Sequence, residues 1–201
     1  MSLELVNTLA TCATFVVITA TAIAAIVQLR QLRASNQIVA FNELRQAYEN
    51  PHLSAAHKYI DTQLARDLED PAFRHAVANR FARTEETHGA VKHLLNFGHF
   101  FESVGIVVKA GLIRKELVLE TWSDIIVAGW TQFEPVTAIF RRTQDRLAYE
   151  AFEYLTVLAR RWQKEHPNGS FPKNLPRIEI DDPYAEADHK YAESRAQGDA
   201  S

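Results

Sequence analysis

The chain has 201 residues, a formal net charge of −3 and a single cysteine, and these numbers already remove several classes of function. Its acidic excess is confined to the end: residues 1–166 carry 18 Lys/Arg against 18 Asp/Glu, and residues 167–201 carry 4 against 7. A charge-balanced body lacks the basic surface that phosphate contacts require, which argues against a nucleic-acid partner, and Cys12 alone can form neither an intramolecular disulfide nor a cysteine-rich zinc site.

From Leu5 to Leu29 no side chain is charged, and Arg30 and Arg33 follow at once. As a helix this stretch is roughly 37 Å long, enough to cross a ~30 Å hydrocarbon core with some tilt. Thr8, Thr11, Thr14, Thr19 and Thr21 are tolerated because a threonine hydroxyl can bond a carbonyl one turn back. A buried core helix rarely runs this far without a charge. A cleaved signal peptide needs a positive n-region, where this chain has only Glu4. Residues 5–29 are therefore predicted to be a retained transmembrane helix. Arg30, Arg33 and Arg45 lie on its C-terminal side and no Lys or Arg precedes it, which predicts an outside N-terminus and a cytoplasmic body. Ala10, Thr14, Val17, Thr21 and Ala24 form a mostly small stripe that suits either a second helix at close range or a lipid face.

Residues 30–50 are expected to continue as a helical stalk, with Leu29 and Leu32, then Ile38, Phe41, Leu44 and Tyr48 at helical spacing. Asn50-Pro51 stops it, since a residue before proline is pushed out of the helical region. Residues 51–166 read as a cytosolic multi-helix bundle. Its first helix places Leu53, His57, Ile60 and Leu64 on one side and ends before Asp70-Pro71. That pair starts the next helix, the carboxylate capping free N–H groups and the proline fitting the first turn. Phe73, Val77 and Phe81 follow at spacings of four.

After a break between Arg83 and Gly89 comes the densest apolar segment: Leu94-Leu95, Phe97, Phe100-Phe101, Val104 and Ile106 to Val108. Lys109 and a Gly111 cap close it. A helix from about Lys115 turns Leu117, Val118, Thr121, Trp122, Ile125 and Ile126 inward, and Glu134-Pro135 is expected to bend or interrupt it. The last long helix aligns Leu147, Ala151, Leu155, Leu158 and Trp162 and stops at His166-Pro167-Asn168-Gly169. The fold class is thus all-α. Residues 167–201 form a polar tail, with strand character only at Arg177 to Ile180. Phe171, Leu175, Ile178 and Ile180 suit docking of an extended piece, and disorder or a frayed helix is expected from about Asp182.

Chemistry is sparse. Glu85-x-x-His88 has the spacing of carboxylate-bridged di-metal bundles, but these require a second such pair and two further glutamates, and no second copy exists. Glu85, His88, His93, His99 and Glu102 are the candidate metal ligands. His57, between Leu53 and Ile60, reads as a packed histidine with one hydrogen-bond partner rather than a base. There is no G-x-S-x-G and no glycine-rich phosphate loop, so no catalytic residue and no cofactor is predicted. Arg141-Arg142 and Arg160-Arg161 are offset by Asp145, Glu150, Glu153 and Glu165 and read as solvated faces.

The run from Phe100 to Ile113, FFESVGIVVKAGLI, resembles the signature of a bacterial domain-of-unknown-function family. In that family an N-terminal membrane helix precedes a helical domain carrying Phe-Glu-x-x-Gly and Val-Lys-x-Gly-Leu-Ile. Trp122, Trp130 and the stalk from Asn36 to Tyr48 fit it too, so the resemblance spans about Leu5 to Glu165. It implies this architecture and a bacterial inner-membrane address, and it brings no catalytic residue. Within the run, Gly105 reads as a close helix crossing and Gly111 as a cap. Glu102 reads as a carboxylate at a buried edge, paired with Lys109 or an arginine. The expected protein is a non-enzymatic, single-pass membrane protein in contact with the lipid bilayer, whose cytosolic domain binds a protein partner or a second copy of itself. The alternative is a membrane-tethered enzyme or metal sensor using the Glu/His set.

Overall fold

The structure, a computed structural model, describes residues 3–198; the side chains of residues 5, 6, 8–10, 86 and 194–198 lie outside the described set, among them Thr8 and Ala10 of the apolar stretch. The described residues are helical with no strand, and the chain divides into two compact units, Met1–Gly169 and Ser170–Ser201.

Helix α1 (Leu3–Tyr48) is a single rod of 46 residues, roughly 69 Å long. Its apolar part is bare: Phe15 is 70% exposed and Ile18 62%. It is the one helix among the described residues long and apolar enough to cross a membrane. The hydroxyls of Thr11, Thr19 and Thr21 donate to the carbonyls of Asn7, Phe15 and Val17 at 2.7–2.9 Å, which satisfies them within the helix. At the other end Ala40, Phe41, Leu44 and Tyr48 pack on the core. The Tyr48 ring lies 5.7 Å from Phe100 and 5.6 Å from Trp122, and Phe41 is also 5.6 Å from Trp122. The Tyr48 hydroxyl and His57 Nδ1 are hydrogen-bonded at 3.1 Å, so His57 has the single packed role expected of it.

Asn50 then caps α2 (Pro51–Thr62), its side chain accepting from the His52 N–H at 2.9 Å with Pro51 in the first turn. The helix expected to run on to Asp70 is instead divided at Gln63, where φ is −126° and α3 (Leu64–Asp67) begins. The Tyr59 hydroxyl bridges the break by donating to the Asp67 carboxylate at 2.8 Å. Asp70 caps α4 (Pro71–Ala78) by accepting from the Ala72 N–H. Phe73 and Val77 are buried, but Phe81 is 85% exposed. The helix stops at Ala78, and Asn79 turns the chain into a 3₁₀ turn at Arg80–Ala82 that carries Phe81 out of the apolar row.

Thr84 and Thr87 form a capping box at the start of α5 (Glu85–Lys109). Val91, Leu94, Phe97, Phe101, Val104 and Val108 are its buried side, while Ile106 is left outside. The end of α5 is a Schellman motif: Gly111 takes φ +69°, its N–H donates to the Val108 carbonyl at 3.0 Å, and the Leu112 N–H donates to Val107 at 3.1 Å. Helix α6 (Lys115–Thr143) continues past Pro135, so of the expected bend or interruption the interruption does not occur. Proline removes one donor, to the carbonyl of Thr131, and the burial of Phe133, Val136, Ile139 and Phe140 on either side outweighs that loss.

Helix α7 (Glu150–Glu165) turns Ala151, Phe152, Leu155, Thr156 and Ala159 inward. Leu147 precedes this helix and is 65% exposed, so its buried stripe starts one turn later than the spacing suggested. Phe97, Phe101, Phe133 and Phe152 are fully buried at the centre. Phe101 stacks on Phe152 at 4.8 Å and Trp130 meets the same ring edge-on at 5.1 Å. In the second unit, Arg177 to Ile180 is neither strand nor helix, Phe171, Leu175, Ile178 and Ile180 are exposed, and α8 (Ala185–Gly198) follows a turn closed by Asp182.

Candidate functional site

The Phe-Glu-x-x-Gly run seats α7. Phe101 supplies the stacked ring, and Gly105 lies so close to the backbone of Ala151 that a Cβ there would collide with its carbonyl. Between them Glu102 accepts from the Ala151 N–H at 3.2 Å and the Phe152 N–H at 2.8 Å. These are two of the free donors in the first turn of α7, whose own N-cap residue, Tyr149, provides no side-chain cap. The cation expected beside Glu102 is replaced by the positive end of a helix. Lys109 pairs with Glu150 instead, at 3.1 Å. Tyr149 sits in the left-handed region at φ +59°, a costly conformation for an aromatic residue. Burial of its ring against the notch at Gly98, with Phe133 at 5.0 Å edge-on, holds it there. That burial, and secondarily the charge of Glu102, pushes the Tyr149 phenol well above its ordinary value.

The five candidate metal ligands all lie on α5, strung along its axis. His88 and His99 are three turns apart, roughly 16 Å along the helix, too far to share an ion. Glu85 and His88 are exposed in the first turn, and His99 is exposed near the Tyr149 ring at 6.1 Å. His93 faces another side, stacked on Tyr59 at 5.4 Å with its Nδ1 buried and without a hydrogen-bond partner. Glu102 is committed to α7. Among the described residues no group of three or more His, Cys, Asp or Glu side chains converges.

The feature that residue spacing did not indicate is a cleft of about 510 Å³ between α2–α3 and α6, a size typical of small-ligand and peptide sites. Ile60, Leu64, Ala65, Leu68 and Pro135 give it an apolar floor, and Asp61, Glu69 and Gln132 a polar rim. Thr131 also lines it, and Pro135 leaves its carbonyl without the usual helical donor. The internal proline was the sequence signal for this: a proline tolerated inside a helix marks a carbonyl free to bond elsewhere. A second groove, of about 350 Å³, lies beside Glu102, Lys109 and Glu150. Its charged groups already serve one another and the first turn of α7.

Fold and site together define a class: a helical bundle carried on a helix able to span a membrane, with an open cleft and no assembled metal constellation among the described residues. Residues 15–162 match DUF4760, a domain of unknown function, and the chain belongs to that family. No curated protein and no solved structure matches the chain.

Proposed function

We propose that this is a single-pass protein of the bacterial inner membrane, with its N-terminus outside and its bundle in the cytoplasm, that acts as a tethered interaction module without catalysing a reaction. The observation that supports this best is the continuity of α1, which runs unbroken from the bare apolar stretch to Tyr48 and is held there by Phe100, Trp122 and His57. A rod fixed at one end in the bilayer and at the other in an aromatic cluster sets the height of the bundle and limits its rotation. Asymmetry of Arg30, Arg33 and Arg45 about the span gives the direction. The charged residues of the α5–α7 junction serve the fold, which leaves the α2–α3/α6 cleft as the surface for a partner. Its apolar floor and acidic rim suit a segment with an apolar anchor and basic or amide donors.

Two measurements test this on the full-length chain in native membranes. A reporter at the C-terminus should read as cytoplasmic. Crosslinking from the cleft should capture the same partner reproducibly and lose it in Ala65→Arg, which fills the cleft from an exposed position. A periplasmic C-terminus, or a capture pattern that Ala65→Arg leaves unchanged, overturns the reading.

A further inference from the structure

Beyond Arg30, α1 keeps exposing apolar side chains: Leu32 is 59% exposed and, past Arg33, Ile38 is 58% and Val39 53% exposed. Val39 stands roughly 9 Å past Arg33 along the rod, outside the hydrocarbon, where lipid cannot cover it. The bundle does not cover it either, because the bundle takes the face of Ala40, Phe41, Leu44 and Tyr48. At 100° per residue the two faces are roughly 95° apart.

The bare face has a coiled-coil period. Within the span it consists of Phe15, Ile18, Ala22, Ala25 and Leu29, and in the stalk of Leu32, Asn36 and Val39, all of them exposed. The spacings alternate three and four without a slip, so these are successive a and d positions of a heptad repeat. No charge interrupts them until Glu43 occupies the next a position. The small stripe of Thr14, Val17, Thr21 and Ala24 lies on a different side. Followed at the same spacing into the stalk, it meets Gln28, Gln31 and Ser35 and turns polar.

We propose that the Phe15–Val39 face is the seam of a parallel, in-register coiled coil between two copies of this chain, running from the bilayer into the stalk. The inference rests on the reading of α1 as a membrane span, because co-insertion orients both copies alike and confines them to one plane. Each seam side chain then meets its own equivalent at the same depth. Asn36 is what commits the seam to two copies: a single polar residue at an a position hydrogen-bonds its mate and selects the in-register dimer. The flanking positions agree. Arg33, an e residue, faces Gln28 at the partner's g position, so no like charges oppose each other across the stalk. Ala22 and Ala25 let the backbones approach inside the bilayer, where packing rather than hydrophobic burial holds helices together. Leu32 and Val39 gain burial from water above it. Eight such positions bury on the order of 700 Å² per copy, close to the ~800 Å² per partner of a stable interface.

A cysteine scan of the full-length protein in native membranes tests the seam, in a Cys12→Ser background with copper-phenanthroline as oxidant. Leu29→Cys, Leu32→Cys, Asn36→Cys and Val39→Cys should give disulfide dimer at least roughly fivefold above Arg30→Cys, Ala34→Cys and Ile38→Cys, since only a and d side chains come within bonding distance. All of these positions are exposed on a continuous helix, so the substitutions leave the bundle folded. Maxima at cysteines placed on the Gln28, Gln31 and Ser35 face, or a flat profile, overturn the seam. Partner capture at the cleft is read separately, so the seam and the tethered-module reading fail independently.

Discussion

The apolar part of α1, residues 3–29, and the 25 residues of α5 are both rich in large apolar side chains, and the two helices use them in opposite ways. On α5 they alternate with polar groups, and Val91, Leu94, Phe97, Phe101 and Val104 vanish into contacts with α2, α6 and α7. On α1 they surround the helix, and among the described residues none of the span is buried by protein. An apolar surface of that extent needs a cover that the bundle does not supply. With the membrane anchor proposed above, one molecule has two interiors: a bundle core that it makes itself, and a bilayer that it borrows. Ala40 to Tyr48 form the boundary, the part of α1 where contacts with the bundle begin. Changes in one interior should leave the other standing, and that independence can be broken deliberately.

The largest effect is expected from Val16→Arg combined with Ile18→Arg. At roughly 3 kcal/mol for each arginine near a bilayer centre, the pair opposes insertion by about 6 kcal/mol. Membrane fractionation should show loss of the anchor, while the thermal melt of the bundle stays where it was. A bundle that melts earlier would show that the span and the core are not separate interiors. The converse change is Gly105→Ala. Its Cβ meets the Ala151 backbone, which cannot give way without moving α7, so stability should fall by about 3 kcal/mol with membrane retention unchanged. Gly89, on the same helix, has open space around its missing Cβ, and Gly89→Ala should stabilise by about 0.5–1 kcal/mol in the same urea titration. A common sign for the two would undo the assignment of Gly105 to the crossing.

Two further tests address the α7 seat. Glu102→Ala removes the acceptor for two first-turn donors and should cost about 1–2 kcal/mol in a denaturant melt, with Glu102→Gln retaining part of that. The neighbouring Tyr149 should make the bundle fail in alkali. Its phenol is raised in the fold above an unfolded value near 10, so its contribution is intact below pH 10 and is lost as pH rises toward the folded value. Its share of the slope is roughly 1.4 kcal/mol per pH unit. Burial also raises the phenols of Tyr59 and Tyr48, so Tyr149→Phe should lessen the decline without abolishing it, and an equally steep decline in that variant would assign it to those two groups.

What was legible in the sequence was local. Asp70-Pro71, Asn50-Pro51 and Gly111 announce helix ends because each acts through its own backbone or a neighbour two or three residues away, and the structure shows all three. The exposed rod of α1 was legible because absence of charge needs no partner to be recognised. What was missed required a partner distant in sequence. Glu102 finds N–H groups 49 and 50 residues away, and no spacing rule distinguishes these from the cation that was expected. Phe81 and Leu147 fit their apolar rows in number but lie beyond the ends of the helices, where the chain has already turned away. Pro135 was read for what it forbids, whereas a well-packed α6 tolerates it. Pro135 and Thr131 both line the cleft, which no run of residues along one helix could have outlined.

The smallest expected effect is the most discriminating about why the α5–α7 junction holds. Lys109 and Glu150 form a conspicuous ion pair across it, yet both side chains are more than half exposed, at 55% and 53%. A pair in that setting gains little from Coulomb attraction in water and loses side-chain entropy, so Lys109→Ala should cost no more than about 0.5 kcal/mol. Arg141 and Glu153 make the same kind of pair at 2.7 Å, but Arg141 is only 30% exposed and its Nε also donates to the Ala148 carbonyl at 2.9 Å. Arg141→Ala therefore orphans a backbone acceptor as well as breaking an ion pair, and about 1–2 kcal/mol is expected. Paired melts at low and at high salt separate the two mechanisms, because screening weakens the exposed pair and hardly touches the hydrogen bond. If Lys109→Ala proved the costlier change, charge would be holding α7 in place. The expected order leaves that work to the stacked rings, the Gly105 contact and the Glu102 cap.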